Sequence, residues 1–177
     1  MGQDKASLIW DGQALVHQVH KRIAPLVSEV MLVVRPDRLQ WGEELAPAGV
    51  RVVSDQVKAR GPLAGIHAAL SEAAHSRVLV VACDMPNLQP ALLEALLKDE
   101  TAEVVVPRTA FGYEPLLAVY AKSCLPAVEQ TLSGGSSRIP AFYSEVTVSQ
   151  WDESQLRRFD PELLSLVNFN RPEDLTT

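Results

Sequence analysis

Four short runs of β-branched and aliphatic residues constrain this chain more than anything else in it: "EVMLVV" (Glu29–Val34), "VRVV" (Val50–Val53), "RVLVVA" (Arg77–Ala82) and "EVVVP" (Glu103–Pro107). The apolar residues in them run nearly without interruption instead of alternating with polar ones, as in strands covered on both faces. Helical patterns separate them. Gln13–Val27 sets Leu15, Val16, Val19, Ile23, Leu26 and Val27 near one face, with Pro25 weakening the last turn. Leu63–Ala74 is a second helix, and Gln89–Lys98 a third, with Pro90 near its start where a missing N–H costs little. Leu116–Ala121 reads as a strand and Leu125–Leu132 as a helix stopped by Gly134–Gly135. A shorter strand at Glu145–Val148 and a helix at Glu153–Phe159 complete the order. Strands alternating with helices predict an α/β fold, a three-layer open sheet that is mostly parallel. In such sheets ligands bind beyond the carboxyl ends of the strands.

The 177 residues make one domain, and 47% hydrophobic with 21% charged residues suits a water-soluble core-forming chain. A net charge of −6 argues against non-specific binding to nucleic acid or a membrane surface. It leaves room for a small phosphorylated ligand held by local donors. No apolar run approaches the ~20 residues of a membrane span. Cys83 and Cys124 form no CxxC pair, so a reducing, cytoplasmic setting is expected.

The loops after the strands hold the candidate chemistry. In "VLVVACDMPNL" a strand carries Asp84 to its carboxyl end, and Pro86 stops regular structure beyond it. A carboxylate there suits Mg²⁺, which is commonly held by one or two carboxylates and substrate phosphates. The competing account is a carboxylate that stabilises a turn. "GPLAGI" (Gly61–Ile66) opens a helix, where glycine permits close backbone approach and helix-start N–H groups suit an anionic or carbonyl-bearing ligand; taken alone, a plain turn followed by close helix packing is the better account. Asp55, in the same loop, suits a ribose or a turn cap, and Lys5 a phosphate or plain solvent. His17 and His20 lack a third ligand for a metal, and no serine–histidine–aspartate set appears.

In their order and spacing, "MGQDKA", "GPLAGI", "CDMP" and "NFNRPEDL" together resemble the molybdenum cofactor guanylyltransferases. The likeness runs the length of the chain and implies a nucleotidyltransferase (Rossmann-like) fold. It implies transfer of GMP from GTP to the terminal phosphate of molybdopterin, with release of pyrophosphate. By that resemblance Asp84 holds Mg²⁺ against the phosphates, and Lys5 belongs to the nucleotide loop. Asp55, Gly61, Pro62, Leu63 and Gly65 also lie on the GTP side. Asn168 and Asn170 match asparagines on the pterin side, although Arg171 stands where the family usually has threonine. Glu114, in "GYEPL", occupies the place of a family histidine, and Arg138 suits an anionic acceptor. Molybdoenzymes or their chaperones would receive the product.

The attacking phosphate needs no general base at neutral pH, so positioning and charge compensation would supply most of the acceleration. In the family, residues like "MGQDK" follow an apolar strand and a glycine-rich turn. The expectation is that 1–177 is a single domain incomplete at its N-terminus, preceded in nature by about 15 to 20 residues, one strand and a turn. Were the chain to work as it stands, weak GTP binding and poor or absent transfer would be expected. The rival readings are another nucleotidyltransferase of the same fold, using a different nucleotide or acceptor, and a non-catalytic cofactor-binding module.

Overall fold

A computed structural model describes residues 5–54 and 61–169. It opens with a small hairpin, β1 (Ile9–Trp10) and β2 (Gln13–Ala14). Asp11 and Gly12 turn it with φ of 48° and 74°, the paired positive values of a type I′ turn. Helix α1 (Leu15–Ile23) follows, and Pro25 converts what would be its last turn into a 3-10 turn over Ala24–Leu26. Next come β3 (Met31–Val34), α2 (Leu39–Leu45), β4 (Arg51–Ser54), α3 (Pro62–Glu72), β5 (Arg77–Val81) and α4 (Pro90–Lys98). The second half holds β6 (Val104–Thr109), β7 (Gly112–Tyr113), β8 (Leu117–Ala121), α5 (Leu125–Ser133), β9 (Val148–Trp151) and α6 (Glu153–Leu156). Among the described residues no helix is long and apolar enough to cross a membrane.

Strands β3 and β4 pair in parallel, Met31 opposite Arg51 through Val34 opposite Ser54. The second sheet runs β5–β8–β6, with β9 parallel to β6 on its far side and β7 folded back on the end of β6. Strand β8 opposes its neighbours because only residues 110–116 separate it from β6, too few for the crossover that a parallel connection needs. Strands β5, β6 and β9 therefore point one way.

Hydrogen bonds at their starts align β3 and β4 with β5. The Ser28 hydroxyl lies 2.9 Å from His75 Nε2, and Glu29 accepts from the Ala74 N–H at 3.1 Å. Arg51 ties the same end together, donating to Glu29 at 2.8 Å and to the Glu72 carbonyl at 2.7 Å. The fold is mixed α/β with a mostly parallel sheet, in two described parts.

The two faces of the sheet carry separate halves of the core. Val104 and Val106 of β6 and Ala118 and Tyr120 of β8 pack against Leu63, Ile66 and Leu70 of α3 and Val128 and Leu132 of α5. The intervening Val105, Leu117 and Val119 meet Leu92, Leu93 and Leu96 of α4, Val19 of α1 and Leu156 of α6. This period-two division makes the central strands read as unbroken apolar runs. Tyr120 donates its buried hydroxyl to the Pro115 carbonyl at 2.7 Å, so its polar end is satisfied.

Asp99 joins the end of α4 to β9. It accepts from Ser149 Oγ and Trp151 Nε1, each at 2.8 Å, and from the Thr101 N–H at 3.0 Å. Burial alone would raise its pKa, but these donors outweigh it and hold the carboxyl at about 2 against an ordinary 3.8. A depressed folded pKa contributes stability that is complete above the unfolded value and is lost as pH falls through the folded one. Asp99→Asn should therefore remove a share of the acid dependence of unfolding between about pH 4 and pH 2. Urea midpoints of the two proteins measured across that range check it; parallel curves would contradict it.

Candidate active site

Strand β5 ends at Val81, and the Ala82 N–H then donates to the Leu116 carbonyl at 2.8 Å. Beyond it Met85 and Leu88 are sunk in the core, 2% and 0% exposed. Asp84, half-buried between these anchors, has its backbone fixed from both sides. Its carbonyl accepts from the Phe169 N–H at 2.8 Å, which brings the far end of the chain against this loop. Phe169 is buried and packs edge-on to Trp10, with ring centroids 5.0 Å apart.

The segment that reaches Phe169 is itself held. Buried Asp160 accepts from the Leu164 and Ser165 N–H groups at 3.0 and 2.8 Å, and the Ser165 hydroxyl accepts from the Gln89 N–H at 2.8 Å. Asn168 is thereby carried beside the Asp84 loop.

The glycine loop meets the same rim. Pro62 and Gly65, in the first turns of α3, and Ala6, next to Lys5, border one cavity with Asp84. Leu63 points the other way. Its side chain is completely buried among Ile66, Leu70 and Tyr120, so only its backbone is left for a ligand. Gly61 has φ of +127°, and a Cβ there would lie 2.9 Å from the Cβ of Ser137. Ser137, the residue before Arg138, is thus pressed onto Gly61 at the start of α3.

Glu114 lies two residues before Leu116, the acceptor of the Ala82 N–H, and donates its own N–H to the Pro107 carbonyl at 2.9 Å. Burial raises its carboxyl pKa. The neighbouring Tyr113 ring meets Tyr143 edge-on at 5.3 Å, in the 3-10 segment Ile139–Glu145 that follows Arg138. Asp55 and Asn170 lie outside the described residues, and Lys5 is placed only as the first residue of the 3-10 turn Lys5–Ser7.

The site residues absent from the sequence reading are Phe169, Trp10 and Ser137. An apolar residue between two asparagines was the available signal for the first. Nothing local marks the other two, since their roles arise from contacts between distant segments.

Gly61→Ala combines a backbone angle that L-residues rarely adopt with a clash against Ser137. It should cost about 1–3 kcal/mol in urea unfolding, and Ser137→Gly in the same chain should recover part of that. Unchanged stability in the single variant would contradict the contact.

Among the described residues no three His, Cys, Asp or Glu side chains cluster as a metal cage. The donor set fits a hard cation shared between one carboxylate and a ligand's phosphates, the usual arrangement for Mg²⁺. A model of the MobA-like NTP transferase domain matches residues 1–147. The chain belongs to the MobA-like NTP transferase family.

It is 34% identical to a molybdenum cofactor guanylyltransferase of Desulfosudis oleivorans, over 98% of this chain and 85% of that protein. A probable molybdenum cofactor guanylyltransferase of Pelotomaculum thermopropionicum is 36% identical, with 99% and 83% covered. The crystal structure of molybdopterin-guanine dinucleotide biosynthesis protein A from Archaeoglobus fulgidus superposes with a TM-score of 0.84. It is 30% identical, over 98% of this chain and 88% of that one. A 2-C-methyl-D-erythritol 4-phosphate cytidylyltransferase from Thermus thermophilus shares the fold at 16% identity, with a TM-score of 0.65. As a MobA-like NTP transferase, this chain is a nucleotidyltransferase, and of its motif residues Ala6, Pro62, Gly65 and Asp84 border one cavity.

Proposed function

We propose that the protein transfers GMP from GTP to the terminal phosphate of molybdopterin, releasing pyrophosphate. The observation that carries this reading is the meeting of two motifs at one residue. Asp84 borders the cavity that Pro62 and Gly65 also line, while its carbonyl holds the N–H of Phe169, next to Asn168. The first contact belongs to the nucleotide side and the second to the acceptor side.

Chemically, an oxygen of the acceptor phosphate forms a bond to the α-phosphorus of GTP as the bond from that phosphorus to the β-bridging oxygen breaks. The electron pair leaves with pyrophosphate. Both reactants are anionic, so alignment requires positive charge and N–H donors. Asp84 is the residue that would hold Mg²⁺, and the bound ion would supply charge neutralisation of the phosphates. Lys5 is assigned to the departing pyrophosphate as a mobile point charge, and Asp55 to the ribose. Gly61, Pro62, Leu63 and Gly65 offer backbone to the nucleotide, with Leu63 contributing main chain alone. Arg138 would draw the acceptor's anionic groups, and Asn168 and Asn170 would hydrogen-bond the pterin. Glu114, its carboxyl pKa raised by burial, would offer the acceptor a group more easily kept neutral beside a phosphate. With its nucleophile already ionised, the reaction needs no protein base.

The cytoplasm is the proposed compartment, in keeping with cysteines that form no disulfide. The test is an assay of molybdopterin-dependent pyrophosphate release with GTP, CTP and ATP supplied separately. Preferred use of GTP is expected. Preference for CTP, or transfer to a sugar phosphate instead of molybdopterin, would overturn the reading.

A further inference from the structure

The turn that carries Glu114 is fixed more thoroughly than a plain connection between β7 and β8 requires. Residues 114–117 form a β-turn, closed by the Leu117 N–H donating to the Glu114 carbonyl at 3.0 Å. Pro115 takes its second position, where a fixed φ suits the turn. The Glu114 N–H is spent on the Pro107 carbonyl at 2.9 Å, and the Leu116 carbonyl accepts from the Ala82 N–H at 2.8 Å. That leaves the Pro115 carbonyl, which closure of the turn does not use. It accepts from the Tyr120 hydroxyl at 2.7 Å.

Tyr120 is completely buried, and its hydroxyl lies 3.0 Å from that of Tyr143. A phenol has one hydrogen to give. Tyr120 gives its own to Pro115, so Tyr143 is the donor between the two, and the bonds run from Tyr143 to Tyr120 to Pro115. In such a chain each bond polarises the next. Burial raises both phenol pKa values, that of Tyr143 to about 12, so both groups keep their hydrogens at neutral pH.

Two phenylalanines would fill the same core without the cost of desolvating two hydroxyls. What the hydroxyls add is a link between distant segments. Tyr143 lies in the 3-10 segment Ile139–Glu145 that follows Arg138, and its ring meets that of Tyr113, next to Glu114, edge-on at 5.3 Å. Leu116 borders the cavity with Asp84, and its carbonyl holds the loop two residues ahead of that carboxylate. Among the described residues the Glu114 carboxyl has no hydrogen-bond or ion-pair partner, so the backbone of the turn sets its place.

We infer that Tyr120 and Tyr143 are positioning residues: their coupled hydroxyls hold the Glu114 turn against the Arg138 segment and keep the acceptor side of the site in one arrangement. The inference rests on the reading above that Glu114 and Arg138 serve an anionic acceptor. Both hydroxyls act through the turn, from within the core.

The test uses Tyr120→Phe and Tyr143→Phe in the full chain, with measurements that need no turnover. Equilibrium dialysis gives Kd for molybdopterin and, separately, for GTP with Mg²⁺. Tyr120→Phe should weaken molybdopterin binding about tenfold, as for one hydrogen bond lost in a core, and GTP binding by less than about twofold. Tyr143→Phe should weaken molybdopterin binding about threefold, since Tyr120 keeps its bond to Pro115. The double variant should match Tyr120→Phe alone, because Tyr143 acts only through Tyr120. Amide exchange at Glu114 and Leu117, taken relative to Val105 in the core, should be about tenfold faster in Tyr120→Phe. Equal weakening of both ligands, additive effects of the two substitutions, or unaltered relative exchange in the turn would overturn the inference. Should Tyr120→Phe not fold, Tyr143→Phe carries the same comparison of ligands, and failure of both to fold would make the pair merely structural. Wild-type protein that binds molybdopterin but releases no pyrophosphate from GTP would sink the transfer reading alone. Wild-type protein that binds no molybdopterin would sink both.

Discussion

Replacing Asp84 with asparagine is expected to lower kcat for GMP transfer by on the order of 10³-fold while leaving the melting temperature nearly unchanged. Asparagine is nearly the same size, but it brings a neutral amide where the proposed cation needs an anionic oxygen. The hydrogen bond that ties this loop to the far end of the chain uses the Asp84 carbonyl and the Phe169 N–H, so it survives the substitution. Met85 and Leu88 continue to anchor the loop in the core. A loss of turnover in a folded protein therefore reports the carboxylate itself. Wild-type turnover would mean that another group holds the phosphates, and a large fall in melting temperature would mean that the side chain is structural.

Phe169→Ala addresses the acceptor side. The ring is buried and meets Trp10 edge-on at 5.0 Å, joining the N-terminal hairpin to the segment that carries Asn168. Truncating a buried aromatic costs about 3–5 kcal/mol when neighbours cannot collapse around the space. Here the residue lies at the rim, so about 3 kcal/mol in urea unfolding is the expected loss. The Asn168 side would lose its placement, while α3 is held by the core through Leu63, Ile66 and Leu70. A rise in KM for molybdopterin of about tenfold or more, with GTP affinity within about twofold, is the expected kinetic result. An equal loss for both substrates would show that the two sides of the site are not separable in this way.

The parts of the fold set by local patterns were legible in the sequence. The apolar runs at Arg77–Ala82 and Glu103–Pro107 became β5 and β6 because both faces of each are covered. Helix α2 escaped notice because "LQWGEEL" is polar and contains a glycine, which weakens a helix. The structure explains that glycine by close packing. A Cβ at Gly42 would lie 3.0 Å from methyl groups of Val34 and Val52, so the bare backbone lets α2 approach β3 and β4.

The strand expected at Glu145–Val148 instead occupies Val148–Trp151. Its register is set from outside the segment, by pairing of Val148 with Val104 and by the bond from Trp151 to Asp99. The helix expected over Glu153–Phe159 stops at Leu156, although its start carries a complete capping box between Asp152 and Gln155.

At the site, the position of Asp84 followed from the rule that parallel strands deliver functional residues at their carboxyl ends. The inward turn of Leu63 did not follow from the motif, because helix phase relative to the core decides it. The contact of Gly61 with Ser137 joins residues far apart in the chain, which no local pattern encodes.

The central claim is that the Asp84 carboxylate anchors the phosphates of the nucleotide through a divalent cation. Crystals soaked with GTP and Mn²⁺, with the metal located by its anomalous scattering, test it most directly. The account predicts a peak roughly 2.0–2.2 Å from a carboxylate oxygen of Asp84, shared with phosphate oxygens of the nucleotide. Metal and nucleotide bound together at another position, with Asp84 bare, would contradict it.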